Sequence, residues 1–318
     1  MPATADSQLG PAFEASHLER AYGIRVAAIT ELDVGVFRVD RHDGPSWVAR
    51  VFPAARPLEG VEGDAAILRR LEDRRFPAER CAHPEPVSTF AGQAVLVTEF
   101  VKPAAPLRPG RPAAFLGALL GRLHANPGTG LRAGGAWHHL SLTGGPREEV
   151  DAARDLVADA LPRVGVRELA LYDRLRDEVE TTDDCHDLPY AFVHPDFVPA
   201  NAIPTPDQRL VIVDWAGAGR GPRLWSLGFL LWAAGARSPR LVDVVVSRYR
   251  EHVTLEPEEL TRLAGAIHSR PRMLECWAFA TGRRQLSDAL QRVTEARDLA
   301  EAIAAQARRA FERPAADG

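Results

Sequence analysis

A single lysine, Lys102, stands among the 39 Lys and Arg residues of this 318-residue chain. Wherever the protein needs a fixed cation it must almost always use Arg, whose guanidinium keeps its charge at any ordinary pH. Asparagine is nearly as scarce, with only Asn126 and Asn201. The three cysteines, Cys81, Cys185 and Cys276, are far apart and form no C-x-x-C pair. That spacing argues against structural zinc and a disulfide framework, and fits a reducing compartment. Long apolar runs are missing too: the longest, LGFLLWAAGA (227–236), is about half of a bilayer span. The opening residues MPATADSQLGPAF contain neither a basic nor an apolar signal region. A formal net charge of −4 argues against a nucleic-acid partner. These absences describe a soluble cytoplasmic protein with no membrane or nucleic-acid partner, and they leave its oligomeric state open.

What is present is ordinary globular material, 46% hydrophobic and 26% charged, enough for one large or two modest cores. The first hundred residues read as short strands with one helix among them. RVAAITEL (25–32), GVFRVDRHDGPSWVARVF (35–52) and AVLVTEFV (94–101) are rich in Val, Ile, Phe and Thr, and HDGPS suits a hairpin turn. EGDAAILRRLEDRRF (62–76) has the spacing of a helix. The proline-rich KPAAPLRPGRP (102–112) breaks regular structure. Beyond it, AAFLGALLGRLHAN (113–126), EEVDAARDLVADAL (148–161), RELALYDRLRDEVE (167–180) and most of 239–318 read as helices. Short strands return only at YAFVH (190–194) and LVIVDW (210–215). The expected organisation is a strand-rich lobe over 1–101, a link over 102–112 and a helical lobe over 113–318.

The chemistry concentrates around HPDFVPAN (194–201) and LVIVDWAG (210–217). Asp196 lies just beyond a strand, in a loop stiffened by Pro195 and Pro199. An Asp and an Asn with four residues between them on a loop can converge on one point. Carboxylate and amide oxygens are hard ligands suited to Mg²⁺. Asp214 closes a second apolar run, a rigid position from which a metal ligand can be aimed. Two carboxylates and an amide beside a metal-held phosphate describe phosphoryl transfer. An Asx-turn at Asp196, a loop cap at Asn201 and a surface acid at Asp214 form the non-functional alternative.

FVHPDFVPANAI followed by VIVDWAGAGRGP resembles the aminoglycoside phosphotransferase and choline kinase family, small-molecule relatives of the protein kinases. LGRLHANP (120–127) is similar to that family's L-x-x-L-H helix, so the resemblance spans most of the chain. It implies an α+β, protein-kinase-like fold of two lobes, with an antiparallel N-terminal sheet carrying one helix and a larger helical C-terminal lobe. It also implies Asp196 as catalytic base, His194 as a buttress of its loop, and Asn201 and Asp214 as Mg²⁺ ligands. His124 would be structural. Arg50, in WVARVF, occupies the position where the family usually has Lys, and would hold the α- and β-phosphates of ATP or GTP. Asp64 is the helix acid that would orient Arg50, with Glu62 as competitor. Gly35 would lie in the loop over the phosphates, and the backbone of Glu99 and Val101 would meet the adenine edge.

The sequence departs from the family at two points: Ser226 stands where an Asp usually ties down the catalytic loop, and Pro195 replaces a common Gly. A hydroxyl can donate and accept hydrogen bonds but brings no charge. The resemblance implies transfer of a γ-phosphoryl group to a hydroxyl of a small molecule. An antibiotic of aminoglycoside or other natural-product type is the first expectation, and an amino alcohol, amino acid or sugar the second. Acidic stretches at DAARDLVADAL and TTDDCHD (181–187) could line a site for a polycation or simply form solvated faces. Trp137, Trp215, Trp225, Trp232 and Trp277 could be core or line a flatter acceptor. A pseudokinase scaffold, suggested by Arg50 and Ser226, and a metal-dependent hydrolase using His194, Asp196 and Asp214 are the competing classes.

Overall fold

The computed structural model describes residues 13–105, 110–137 and 144–313. The chain forms two compact units, Met1–Pro106 with Ala202–Gly217, and Leu107–Asn201 with Ala218–Gly318.

In the first unit, helix α1 (Ala15–Tyr22) precedes strands β1 (Val26–Asp33), β2 (Val36–Arg41) and β3 (Trp47–Val51). Helix α2 (Leu58–Asp73) follows, then β4 (Val87–Phe90) and β5 (Gln93–Glu99). The five strands form an antiparallel sheet in the order β1-β2-β3-β5-β4. One face buries Leu18, Tyr22, Val39, Trp47, Ala49, Val95 and Val97 in a single cluster, so alternate residues of the central strands point into it. Helix α2 buries Val61, Asp64, Ala65, Leu68 and Leu71, the three-and-four spacing of an amphipathic face. Asp64 is the exception on that apolar stripe, and a buried carboxylate demands fixed partners.

The sequence expectation of one helix in this region misses α1, whose eight residues bury only His17, Leu18 and Tyr22. That is too short a stretch to show a clear period. It also misses β4, a four-residue strand. Helix α2 starts at Leu58, directly after Pro57, four residues before the expected start. Prolines suit such helix beginnings because the missing N–H has no partner to lose there.

Strands β7 (Ala202–Pro204) and β8 (Leu210–Ile212) form a hairpin that belongs with the first unit. Glu79 N–H donates to Ile212 O at 2.9 Å, and Ile212 N–H to Pro77 O at 2.8 Å. Ala104 N–H donates to Pro204 O at 2.7 Å. These bonds draw 202–217 out of the continuous 113–318 lobe expected from sequence. No periodicity in the hairpin itself announces them.

The second unit contains α3 (Gly110–His124), α4 (Pro146–Ala160), α5 (Leu169–Glu180), α6 (Arg223–Gly235), α7 (Pro239–Tyr249), α8 (Pro257–Ala280) and α9 (Leu286–Glu312). A two-stranded antiparallel ribbon joins β6 (Tyr190–Val193) to β9 (Gly219–Pro222). Val150, Val157, Tyr172, Leu175, Trp225, Met273 and Leu286 form a buried cluster shared by α4, α5, α6, α8 and α9. Trp225 is therefore core. Helices α6 and α8 approach closely: a Cβ on Gly228 would lie 2.6 Å from the Ala266 carbonyl.

Two buried histidines hold this packing in a neutral state. His124 Nδ1 pairs with Tyr249 Oη at 2.9 Å, and burial, helped by the Arg223 charge, holds the imidazole down at about 3. His268 Nε2 pairs with Val293 O at 3.0 Å, while its Nδ1 faces Arg272 Nη2 at 2.7 Å. Nδ1 must therefore accept from Arg272 and stay unprotonated, and burial with the Arg272 charge holds this ring at about 4. Unfolded histidines titrate near 6.5, so the unfolded chain takes up protons first as pH falls. Stability from these groups is complete above about pH 6.5 and is lost on the way down to the folded values. Urea unfolding at pH 7 and pH 5 checks this: His124→Gln and His268→Gln should each shrink the acid loss by about 2 kcal/mol. An unchanged loss in both variants contradicts it.

Candidate active site

The first unit gathers a set of charged side chains around a small cavity. Arg50, Asp64 and Glu79 line it together with Val48, Leu96, Thr98 and Trp215. Arg50 comes from β3, the strand flanked by β2 and β5. Its Nη2 lies 3.0 Å from Asp214 Oδ1. Asp214 sits beyond the end of β8, in a turn where its φ is 69°. That left-handed conformation is uncommon for a residue other than Gly and is tolerated best by Asp and Asn. Glu79 holds it: Oε1 accepts the Asp214 N–H at 2.7 Å, and Oε2 accepts the Thr98 hydroxyl at 3.1 Å. Trp215, fully buried, donates its indole N–H to Ile212 O at 2.9 Å and packs edge-on against Phe76.

Asp64 is fully buried and accepts the Gly217 N–H at 3.0 Å. Its other oxygen pairs with Arg56 Nη2 at 2.7 Å, with both side chains out of water. Removing one partner of such a pair strands a charge and costs about 3–5 kcal/mol. Arg56 went unnoticed in the sequence because it lies in the loop after β3, outside any period. Glu62, the competing helix acid, is exposed. The acid on the inner face of α2 is Asp64, and it shares the cavity wall with Arg50.

Gly35 forms the turn between β1 and β2 with a φ of 70°, and a Cβ there would fall 2.7 Å from Val51 O. Its carbonyl accepts the Val51 N–H at 2.8 Å, so the turn needs a residue without a side chain. Glu99 ends β5 with an exposed side chain, and its N–H donates to Arg80 O at 2.9 Å. Val101 follows, partly exposed.

Glu79 is a second residue of this unit that the sequence does not single out, since FPAERCA reads as an ordinary charged loop. Burial pushes its carboxyl above the usual range, and the neighbouring Asp214 charge adds to that, while Arg50 opposes both. The Glu79→Ala variant should lose about 1–3 kcal/mol of stability by orphaning the Asp214 N–H. Glu79→Gln keeps an accepting oxygen and should lose less, as read by urea unfolding. Equal losses in the two variants contradict the hydrogen-bond role.

The second unit holds the other motif. Strand β6 leads into His194, which is fully buried. Its Nδ1 accepts the Asp196 N–H at 3.0 Å, which assigns the ring proton to Nε2. Ser226 Oγ, on α6, donates to His194 O at 2.8 Å. Asn201 Nδ2 donates to Asp196 Oδ2 and to Asp196 O, both at 2.9 Å. The structure thus brings His194, Asp196 and Asn201 together in one hydrogen-bonded loop. With Nδ2 used as donor, Oδ1 is the Asn201 atom able to ligate a cation. Asp196 and Asn201 supply only oxygens, a donor set that suits a hard divalent ion such as Mg²⁺. Among the described residues, no group of three or more His, Cys, Asp or Glu side chains is placed to hold a metal ion.

Several carboxylates of the two acidic stretches are paired with cations. Asp183 and Asp187 pair with Arg262, and Asp184 with Arg147 and His186. Asp151 pairs with Arg154. Trp137 and Trp277 meet edge-on at 6.4 Å, and Arg283 covers the Trp277 ring at 4.2 Å.

No curated protein matches the sequence. Among solved structures, the chain is similar to the choline kinase LicA from Streptococcus pneumoniae, with 15% identity and a TM-score of 0.62 over 89% of this chain and 96% of that one. An aminoglycoside phosphotransferase from Alicyclobacillus acidocaldarius matches at 17% identity and 0.62, covering 96% and 99%. The amicoumacin kinase hAmiN, solved with AMP-PNP, Ca²⁺ and Ami, matches at 15% and 0.63, covering 91% and 93%. At such identities these likenesses establish a shared fold, the protein-kinase-like one with its N-terminal antiparallel sheet and larger helical part. The sequence pattern of the phosphotransferase enzyme family (APH) matches residues 31–266, most of the chain. The chain belongs to this family, and is a small-molecule phosphotransferase acting on a hydroxyl group.

Proposed function

We propose that the protein transfers the γ-phosphoryl group of ATP (or GTP) to a hydroxyl of a natural product of antibiotic type, as a resistance or self-protection kinase. The observation that carries the transfer reaction is the loop of His194, Asp196 and Asn201, in which a carboxylate is held by its own backbone and by an amide. Asp196 accepts the hydroxyl proton and orients the attacking oxygen. His194 holds the Asp196 backbone through its N–H, while Asn201 Nδ2 orients the carboxylate. Arg50 holds the non-transferred phosphates with a forked guanidinium, and Asp64 lies on the same cavity wall. Asp214 and the Oδ1 of Asn201 would be the ligands for Mg²⁺, which when bound would supply charge neutralisation for the phosphates. The Gly35 turn leaves backbone, not side chain, to approach the nucleotide, and Glu99 and Val101 present backbone groups to the base. In a loose transition state, positioning and electrostatics weigh more than the basicity of Asp196.

A metabolic kinase acting on an amino alcohol, amino acid or sugar is the second reading. It is favoured by the arginine pairing of Asp183, Asp184 and Asp187, which removes the anionic lining a polycationic acceptor would use. Choline kinase LicA, of similar fold, has an amino-alcohol acceptor in its name. ADP release measured with Mg²⁺ across antibiotics and small alcohols separates the two readings. With the acceptor found, Asp196→Ala should lower kcat by about 10²–10⁴-fold and leave nucleotide affinity within a few fold. Near-normal turnover in that variant ends the assignment, and turnover of no acceptor by the wild type favours a scaffold.

A further inference from the structure

The backbone of the Asp196 loop is held peptide by peptide. Ser226 Oγ donates to His194 O, and Asn201 Nδ2 donates to Asp196 O. Between them lies Pro195, which has no N–H and whose carbonyl is its sole backbone hydrogen-bonding group. That carbonyl accepts from Arg270 Nη2 of α8 at 3.0 Å. Arg270 is only 2% exposed, and its counterion is Glu149 of α4, fully buried, with Oε2 at 3.2 Å from Nη2. The same Oε2 accepts the Trp137 N–H at 2.9 Å. The guanidinium also lies over the rings of Phe229 and Trp137, at 5.2 and 5.6 Å from their centroids. Its position is therefore fixed by a carboxylate, two aromatic faces and the loop it holds.

A buried ion pair is weak evidence for stability, because desolvation offsets the attraction. What this one provides is a charge-assisted bond, stronger than a neutral one, aimed at the peptide preceding Asp196. Asp196 is close enough to raise the Glu149 carboxyl alongside burial, which places the pair and the catalytic carboxylate in one electrostatic neighbourhood.

We propose that the Arg270–Glu149 pair is a positioning device for the catalytic loop. Arg270 fixes the Pro195 carbonyl, and through it the backbone of Asp196. The inference rests on the reading of Asp196 as the catalytic base.

Arg270→Met alone leaves the Glu149 charge buried without a counterion and can simply fail to fold. The informative variant is Glu149→Gln with Arg270→Met, which leaves no buried charge, while the new amide oxygen can still accept from Trp137. Replacing both members of a buried pair is often neutral for stability. The double variant should melt close to wild type and keep its nucleotide KM, while kcat falls about 10–100-fold, the effect of a small displacement of a catalytic group. A folded double variant with kcat within about twofold of wild type overturns the proposal. A parallel loss of melting temperature, nucleotide KM and kcat, or failure to fold, also overturns it by assigning the pair to packing. Full turnover in Asp196→Ala would instead remove the reading beneath it, so the two failures are distinguishable.

Discussion

The first unit depends on one constrained carboxylate. Asp214 lies in a left-handed turn that most residues avoid, and it stays there because Glu79 takes its N–H and Arg50 faces its oxygen. Glu79 is itself stationed by backbone bonding to Ile212 and by the Thr98 hydroxyl. A chain of hydrogen bonds therefore runs from β5 through Glu79 to Asp214, and each member is positioned by another. Such strain persists only where the surroundings over-determine it, and it concentrates at functional sites.

The chain solves the same electrostatic problem several times with arginine. Arg56 with Asp64, Arg223 with Glu259, and Arg270 with Glu149 each place a guanidinium against a carboxylate that is fully out of water. In each case a backbone group joins the pair: Gly217 N–H, Thr254 O or Pro195 O. The arginine fork can hold a carboxylate and a carbonyl together, which a lysine point charge does less well. The near absence of lysine is thus a structural trait as well as a compositional one.

Much of this was legible in the sequence, for reasons that can be named. Asp196 and Asn201 stood out because a chain with two asparagines placed one of them in a proline-stiffened loop beside an acid. Arg50 is singled out only by the resemblance, as the residue standing where the family has Lys, and Gly35 is a lone glycine whose φ and approach to the Val51 carbonyl only the structure shows. Glu79, Arg56, Glu149 and Arg270 were not readable. Each lies in a loop or on a helix, and gains its meaning from a partner that no local period announces, distant in sequence for Glu79, Glu149 and Arg270. The β7–β8 hairpin was assigned to the wrong side of the chain for the same reason, since its allegiance is set by backbone bonds to Pro77, Glu79 and Ala104.

The central claim is that Asp214 is held in order to carry a divalent cation for the nucleotide. Calorimetric titration of ATP with and without Mg²⁺, on wild type and on Asp214→Ala, tests it most directly. Mg²⁺ should strengthen ATP binding to the wild type and have little effect on a folded Asp214→Ala protein. An equal strengthening in both would contradict the account.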